Sequence, residues 1–218
     1  MTDAPGLLRS AAALGLVAII GTSLLAGVHH LTRDRIAAQE RRVILEQLQE
    51  IIPAGEYDNA LQDDRFVFSD ETYFPGGQQV VAYRARSAGD PVAVILRFSA
   101  INGYSGEIKL LAGILDDGRL AGVRVAAHRE TPGLGDAIER EKSDWILGFT
   151  GKSLGNPEPE GWAVERDGGE FDQFTGATIT PRAVVEAVQA ALEYYERNAG
   201  LLFEAPAETA DAQRIPDS

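Results

Sequence analysis

Residues 91–126 read PVAVILRFSAINGYSGEIKLLAGILDDGRLAGVRVA, and the pattern in this stretch decides the fold. Three runs in it, at 91–100, 108–115 and 120–126, are rich in β-branched and other apolar residues, as strands are. Asn-Gly and Asp-Asp-Gly turn signals separate the runs, and LDDGRL is a good hairpin candidate. The stretch therefore predicts strands of an antiparallel sheet.

The neighbouring segments add one strand before this stretch and mostly helices after it. QQVVAYRARS at 78–87 predicts a further strand, which a Gly-Asp-Pro turn signal separates from the next one. Residues 136–149 predict a helix or a helix pair, 162–171 a short hairpin, and 181–198 a regular helix. Because strands come first and helices later, the predicted fold class is α+β, an antiparallel sheet with flanking helices.

The helix at 181–198 has the clearest helical pattern in the chain. Thr180 is predicted as its N-cap, and Pro181 suits its first turn. Five residues at helical spacing form one apolar face: Val184, Val188, Ala191, Leu192 and Tyr195.

The amino-terminal segment has a different character. Residues 10–28 contain no charge, and a helix of this length nearly spans the hydrocarbon layer of about 30 Å. A cleaved signal peptide is the alternative, but the run continues into a charged helical pattern, which favours a retained transmembrane helix. The predicted organisation is a tail at 1–9, a transmembrane helix at 10–28, a helical stalk at 29–56, a globular domain at 57–198 and a flexible tail at 199–218.

The composition excludes several classes of function. The net charge of -13 argues against a nucleic-acid partner, because binding to phosphates needs clustered Lys and Arg. The chain has no cysteine, which excludes disulfides, zinc thiolate sites, iron–sulfur ligation through this chain and a cysteine nucleophile. Only three histidines are present, so no metal site is predicted.

Three glycine-bearing motifs are candidates for chemistry: NGYSGE at 102–107, HRETPGLG at 128–135 and DQFTGAT at 172–178. The last one precedes a helix, whose amino end suits a phosphate group. It lacks the lysine of a phosphate-binding P-loop, and no base adjoins either threonine to activate it as a nucleophile. From the residues alone, turns and a helix cap remain the favoured interpretation of all three motifs.

These motifs, with the amino-terminal anchor and KSDWI at 142–146, resemble those of the G subunit of the Rnf electron transport complex. The chain also resembles, less closely, the C subunit of the sodium-translocating NADH:quinone reductase. The resemblance implies FMN joined covalently through its phosphate to Thr178 by a separate, magnesium-dependent flavin transferase. The residues that match the pattern recognised by the transferase are Asp172, Thr175, Gly176 and Ala177. Those at positions that contact the isoalloxazine ring in the family are Tyr104, Glu130, Thr131 and Leu134.

The resemblance also implies the role and the location of the protein. It implies an electron-relay subunit, without catalytic residues of its own, in a membrane complex that couples ferredoxin and NAD redox exchange to ion movement. The expected location is the bacterial inner membrane, with a single span and the flavin domain on the periplasmic side. The arginines oppose this orientation, since Arg9 precedes the span while Arg33, Arg35, Arg41 and Arg42 follow it. The alternatives are the quinone reductase subunit and a membrane-anchored binding or assembly module without a redox group.

Overall fold

The computed structural model describes residues 14–16, 18–19, 21–22 and 42–207. The predicted tail at 1–9, the remainder of the span at 10–28, the stalk up to residue 41 and the tail beyond 207 lie outside these residues. The described positions between 14 and 22 are helical. Within the described part of the chain, no helix is both long and apolar enough to cross a membrane. The chain forms two compact units, Met1–Ile44 and Leu45–Ser218.

The second unit contains a five-stranded antiparallel sheet whose strands follow one another in chain order. The four predicted strands are present. A fifth strand at the edge, RFVF, was not predicted, because its four residues show no alternation of apolar and polar side chains. All four are half-buried in the structure. The strands are β1 Arg65–Phe68, β2 Val80–Ser87, β3 Asp90–Gly103, β4 Gly106–Leu115 and β5 Leu120–Ala127.

The region between the sheet and the last helix differs from the prediction. Instead of a helix or a helix pair at 136–149 there are two short 3-10 helices, Gly135–Ile138 and Trp145–Phe149. The reason is local: the Ser143 hydroxyl accepts a hydrogen bond from the backbone N–H of Trp145 and so competes with regular helical bonding. The predicted hairpin at 162–171 is also absent, because Val164 and Phe171 form only an isolated parallel bridge. Two further 3-10 helices lie in this region, Pro159–Gly161 and Glu165–Asp167.

The C-terminal helix, Ile179–Glu204, packs against β3 and β4. All five residues of the predicted apolar face are buried, which confirms that face. The predicted N-cap is wrong, because Thr178 occupies the N-cap position and Thr180 is the second residue of the helix. Thr180 is fully buried, and its hydroxyl bonds to a carboxylate rather than to the helix backbone.

The far end of this helix runs six residues beyond Asn198, where the prediction ended it. Asn198 has non-helical angles (φ -128°, ψ 15°), but the chain returns to helix and buries Leu202. Arg84, itself buried, pairs with Asp64 at 2.6 Å and donates to the carbonyl of Ala205. A cation at this end stabilises the helix dipole, which explains the extra turn.

The opposite face of the sheet is covered by residues 45–51, which are helical. Leu48, Ile51 and Ile52 are buried. A Cβ placed on Gly113 of β4 would lie 2.3 Å from Ile51 Cγ2, so the backbones approach closely here. The sheet is therefore packed on both faces, which fixes the positions of the loops at its ends.

Candidate functional site

The three glycine-bearing motifs line one cavity of about 290 Å³. The turn between β3 and β4, the loop after β5 and the start of the C-terminal helix meet at this end of the sheet. Seven of the nine predicted site residues line the cavity: Tyr104, Glu130, Thr131, Leu134, Gly176, Ala177 and Thr178. The other three lining residues, Gly135, Ile179 and Thr180, were not predicted as site residues.

The segment 174–178 is a tight turn that leads directly into the helix. The backbone N–H of Ala177 donates to the carbonyl of Phe174 at 3.1 Å, and Gly176 has a φ of 83°. This is the pattern of a type II turn, which favours glycine at its third position. Thr178 follows at the N-cap, half-buried, and its side chain makes no capping hydrogen bond. Its hydroxyl is therefore not committed to the helix, although it lies where helix N–H groups attract anions.

Glu130 joins the three parts of the site. Its side chain is buried, with 4% exposure. One carboxylate oxygen accepts a hydrogen bond from the backbone N–H of Ser105 at 2.9 Å, in the β3–β4 turn. The other accepts from the Thr180 hydroxyl at 2.5 Å, in the C-terminal helix. A buried carboxylate needs such partners, so Glu130 fixes the two walls of the cavity relative to each other.

Gly135 makes this arrangement possible. A Cβ at this position would lie 2.9 Å from Glu130 Oε2 and 3.0 Å from Thr180 Oγ1. The second glycine of HRETPGLG therefore leaves the space in which the Glu130–Thr180 contact forms. The two closely spaced glycines of this motif already indicate a close approach in the sequence. They do not indicate what approaches Gly135, because Thr180 lies far along the chain.

His128 hydrogen-bonds to the backbone of Glu130 without lining the cavity. Its Nδ1 accepts the backbone N–H of Glu130 at 3.0 Å, and its Nε2 lies 2.6 Å from Glu139 Oε1. An Nδ1 that accepts cannot carry the proton, so the neutral ring has its proton on Nε2 and donates it to Glu139. His128 is thus a hydrogen-bonding residue of the loop and does not line the cavity.

The mouth of the cavity is apolar and open. Tyr104 is 69% exposed, Leu134 44% and Ile179 45%. Exposed side chains of this size beside buried polar groups suit a flat ring with one polar edge, since ligand sites combine apolar walls with a few placed polar groups. The volume, about 290 Å³, is close to the lower end of the range for small-molecule pockets.

Asp172 and Thr175 lie outside this cavity. Thr175 is exposed at the second position of the turn. Asp172 is also exposed and lines a separate, larger groove of about 600 Å³ together with Trp145, Lys152 and Glu170. The loop at 172–178 therefore has two sides, one toward the cavity and one toward the groove.

The start of the helix is held by an ion pair. Both Arg182 Nε and Nη2 donate to the Asp167 carboxylate, at 2.6 and 2.9 Å. These hydrogen bonds lower the pKa of Asp167 and raise the pKa of Arg182. Within the described residues, no group of three or more His, Cys, Asp or Glu side chains could hold a metal ion.

Comparison with known proteins places these features in a family. Residues 103–193 match the model of an FMN-binding domain, and residues 1–51 match the model of the RnfG N-terminal region. The chain is 50% identical over 204 residues to the G subunit of the ion-translocating oxidoreductase complex of Pseudomonas aeruginosa, covering 94% of this chain and 95% of that protein. The chain belongs to the family of G subunits of ion-translocating oxidoreductase complexes.

Other members of this family are similar over nearly as much of the chain. The G subunit from Pseudoalteromonas atlantica is 45% identical over 88% of this chain and 89% of its own length. That from Vibrio cholerae is 42% identical over 88% of this chain and 92% of its own length. The FMN-binding domain match includes every residue that lines the cavity.

Proposed function

We propose that this chain is an electron-transfer subunit that carries FMN, covalently attached through its phosphate to the Thr178 hydroxyl. The observation that carries the proposal is the position of Thr178. It combines a hydroxyl not used in capping, a helix amino end and a cavity formed by the family's motifs. When bound, FMN accepts and passes on one or two electrons.

The residues of the cavity suit this group. Tyr104, Leu134 and Ile179 offer apolar surface for the ring, while Glu130 and Thr131 present polar groups at its edge. A Cβ on Gly176 would lie 3.6 Å from Leu134 Cδ2, so a glycine here leaves the ring's approach open. The first turn of the helix supplies N–H groups for the phosphate next to Thr178.

The attachment needs a second protein and an activated donor. None of the residues lining the cavity beside Thr178 is a His or Lys that would take its proton; the one carboxylate, Glu130, already accepts two hydrogen bonds. A flavin transferase would therefore supply the base, and it would bind a flavin dinucleotide as the donor of the flavin phosphate. Thr178 Oγ1 bonds to the phosphorus of the flavin phosphate, the pyrophosphate bond breaks, the nucleoside monophosphate leaves, and the threonyl proton passes to the base. No redox change accompanies this transfer.

Family membership supports a proposal for the partners and the location. The relatives are named as subunits of an ion-translocating oxidoreductase complex. We infer that this chain works with the other subunits of an Rnf-type membrane complex, coupling ferredoxin and NAD redox exchange to ion movement. In this proposal residues 10–28 anchor the chain, residues 29–56 form the stalk, and the flavin domain lies on the periplasmic side.

Denaturing gel electrophoresis tests the attachment. Full-length protein from cells that contain the transferase should give a fluorescent flavin band, and Thr178→Ala should lose it completely. Thr178→Ser should keep part of the signal because it retains a hydroxyl, and Thr175→Ala should weaken the signal without abolishing it. Peptide mass spectrometry should locate the flavin on residue 178. A wild-type band without flavin, or flavin mapped to Thr175, would overturn the proposal.

A further inference from the structure

Trp145 contacts the loop that carries Thr178, but on the side away from the cavity. Its indole Nε1–H donates to the carbonyl of Asp172 at 2.8 Å. Its ring also packs edge-on against Phe174, with centroids 5.2 Å apart. Phe174 begins the turn that contains Gly176 and Asp172 leads into it, so a single side chain contacts both the start of the turn and the segment before it.

The indole itself is fixed by the protein core. Trp145 packs against Phe149, which is fully buried, with ring centroids 5.4 Å apart. Its backbone N–H donates to the Ser143 hydroxyl at 3.1 Å. The core residue Phe149 therefore holds one edge of the indole, and the short 3-10 helix Trp145–Phe149 places its Nε1–H against the loop.

The geometry points to Trp145 as a positioning residue for flavin attachment, an inference that rests on the proposed function. By holding the Asp172 carbonyl, Trp145 fixes the backbone of a residue that lines the groove together with Lys152 and Glu170. The transferase then meets Asp172 and the Thr178 hydroxyl in one fixed arrangement. Loss of the indole N–H lowers the population of this arrangement and weakens the apparent affinity in proportion, because only the competent conformer binds.

The test is a kinetic comparison of two tryptophan variants. Trp145→Phe keeps an aromatic ring and removes the N–H. Trp162→Phe is the control for removing an indole N–H from the same aromatic cluster: the buried Trp162 packs on Phe149 and Phe171, and its Nε1–H donates to the carbonyl of Ser153 at 3.3 Å, outside residues 172–178. Full-length proteins made without the transferase are incubated with purified transferase, magnesium and flavin adenine dinucleotide, and covalent flavin is measured against time.

For Trp145→Phe we expect a KM for the protein substrate about fivefold higher, with little change in kcat, as the loss of one hydrogen bond predicts. Trp162→Phe should behave as wild type. Hydrogen exchange of the unmodified proteins should show faster exchange over 172–178 in Trp145→Phe only, which is a readout independent of the transferase. Thermal unfolding of both variants checks that the fold is retained.

Two results would overturn the inference while leaving the proposed function intact. One is a Trp145→Phe protein that is modified at Thr178 as fast as wild type and exchanges at the same rate over 172–178. The other is an equal rise of KM in both variants, which would mean that only aromatic packing matters. Failure of the wild type to be modified at Thr178 would instead contradict the proposed function.

Discussion

The buried contact between Glu130 and Thr180 is the residue-scale feature that shapes the cavity. The two residues are fifty positions apart in the chain, so no local pattern could have paired them. From the sequence, Thr180 had the features of an N-cap, since a threonine directly before a helix commonly is one. In the structure Thr180 donates to Glu130 instead of capping the helix, because a buried carboxylate stabilises a hydroxyl donor more than an exposed helix end does.

A substitution at Gly135 tests how strongly this contact depends on space. Gly135→Ala should reduce the free energy of unfolding by about 1–3 kcal/mol, because its methyl group would force Glu130 and Thr180 apart. Gly148→Ala is the control, since nothing lies within 4 Å of a Cβ there. Urea unfolding of both variants gives the comparison. Equal stability of the two would show that the loop yields without cost.

At the scale of elements, the sheet and the last helix could be predicted, while the segments between them could not. The strands β2 to β5 alternate or run apolar between turn signals, and the helix has a complete apolar face. The 3-10 helices have neither, because they depend on single contacts that no periodic pattern shows: the local bond from the Trp145 N–H to Ser143 and the tertiary packing of Trp145 on Phe174. The site residues were predicted from motif resemblance, and the structure places seven of the nine around one cavity.

The Asp167–Arg182 ion pair links two elements, the 3-10 helix Glu165–Asp167 and the first turns of the C-terminal helix. The hydrogen bonds from Arg182 lower the pKa of Asp167 in the folded protein. A lowered pKa stabilises the fold above the ordinary aspartate value of 3.8, and this contribution disappears as the pH falls through the folded pKa. Asp167→Asn should therefore be less stable than wild type at pH 7, and the difference should vanish at acid pH.

Chemical unfolding at pH 7 and at an acid pH below the folded pKa of Asp167, at low and at high salt, measures this effect. Because both partners are exposed, added salt should also reduce the difference at pH 7. A difference between Asp167→Asn and wild type that stays the same at both pH values would show that the pair contributes through packing and not through charge.

At the scale of the whole molecule, the arginine distribution and the proposed orientation disagree. The arginines lie mainly after residues 10–28, which by the positive-inside rule places the globular part in the cytoplasm. The proposed attachment of flavin on the periplasmic side requires the opposite. The rule describes loops of single chains, and contacts with other members of a complex can enforce an orientation that local charges oppose.

The absence of cysteine allows a direct test of this orientation. Glu160 is exposed on the domain, so Glu160→Cys provides a single reactive thiol on an otherwise unreactive chain. A maleimide that cannot cross the inner membrane should label this variant in spheroplasts. Thr2→Cys, before the predicted span, should be labelled only after the cells are lysed. Labelling with the reverse order would place the domain in the cytoplasm, where the arginine count predicts it, and would contradict the proposed periplasmic location.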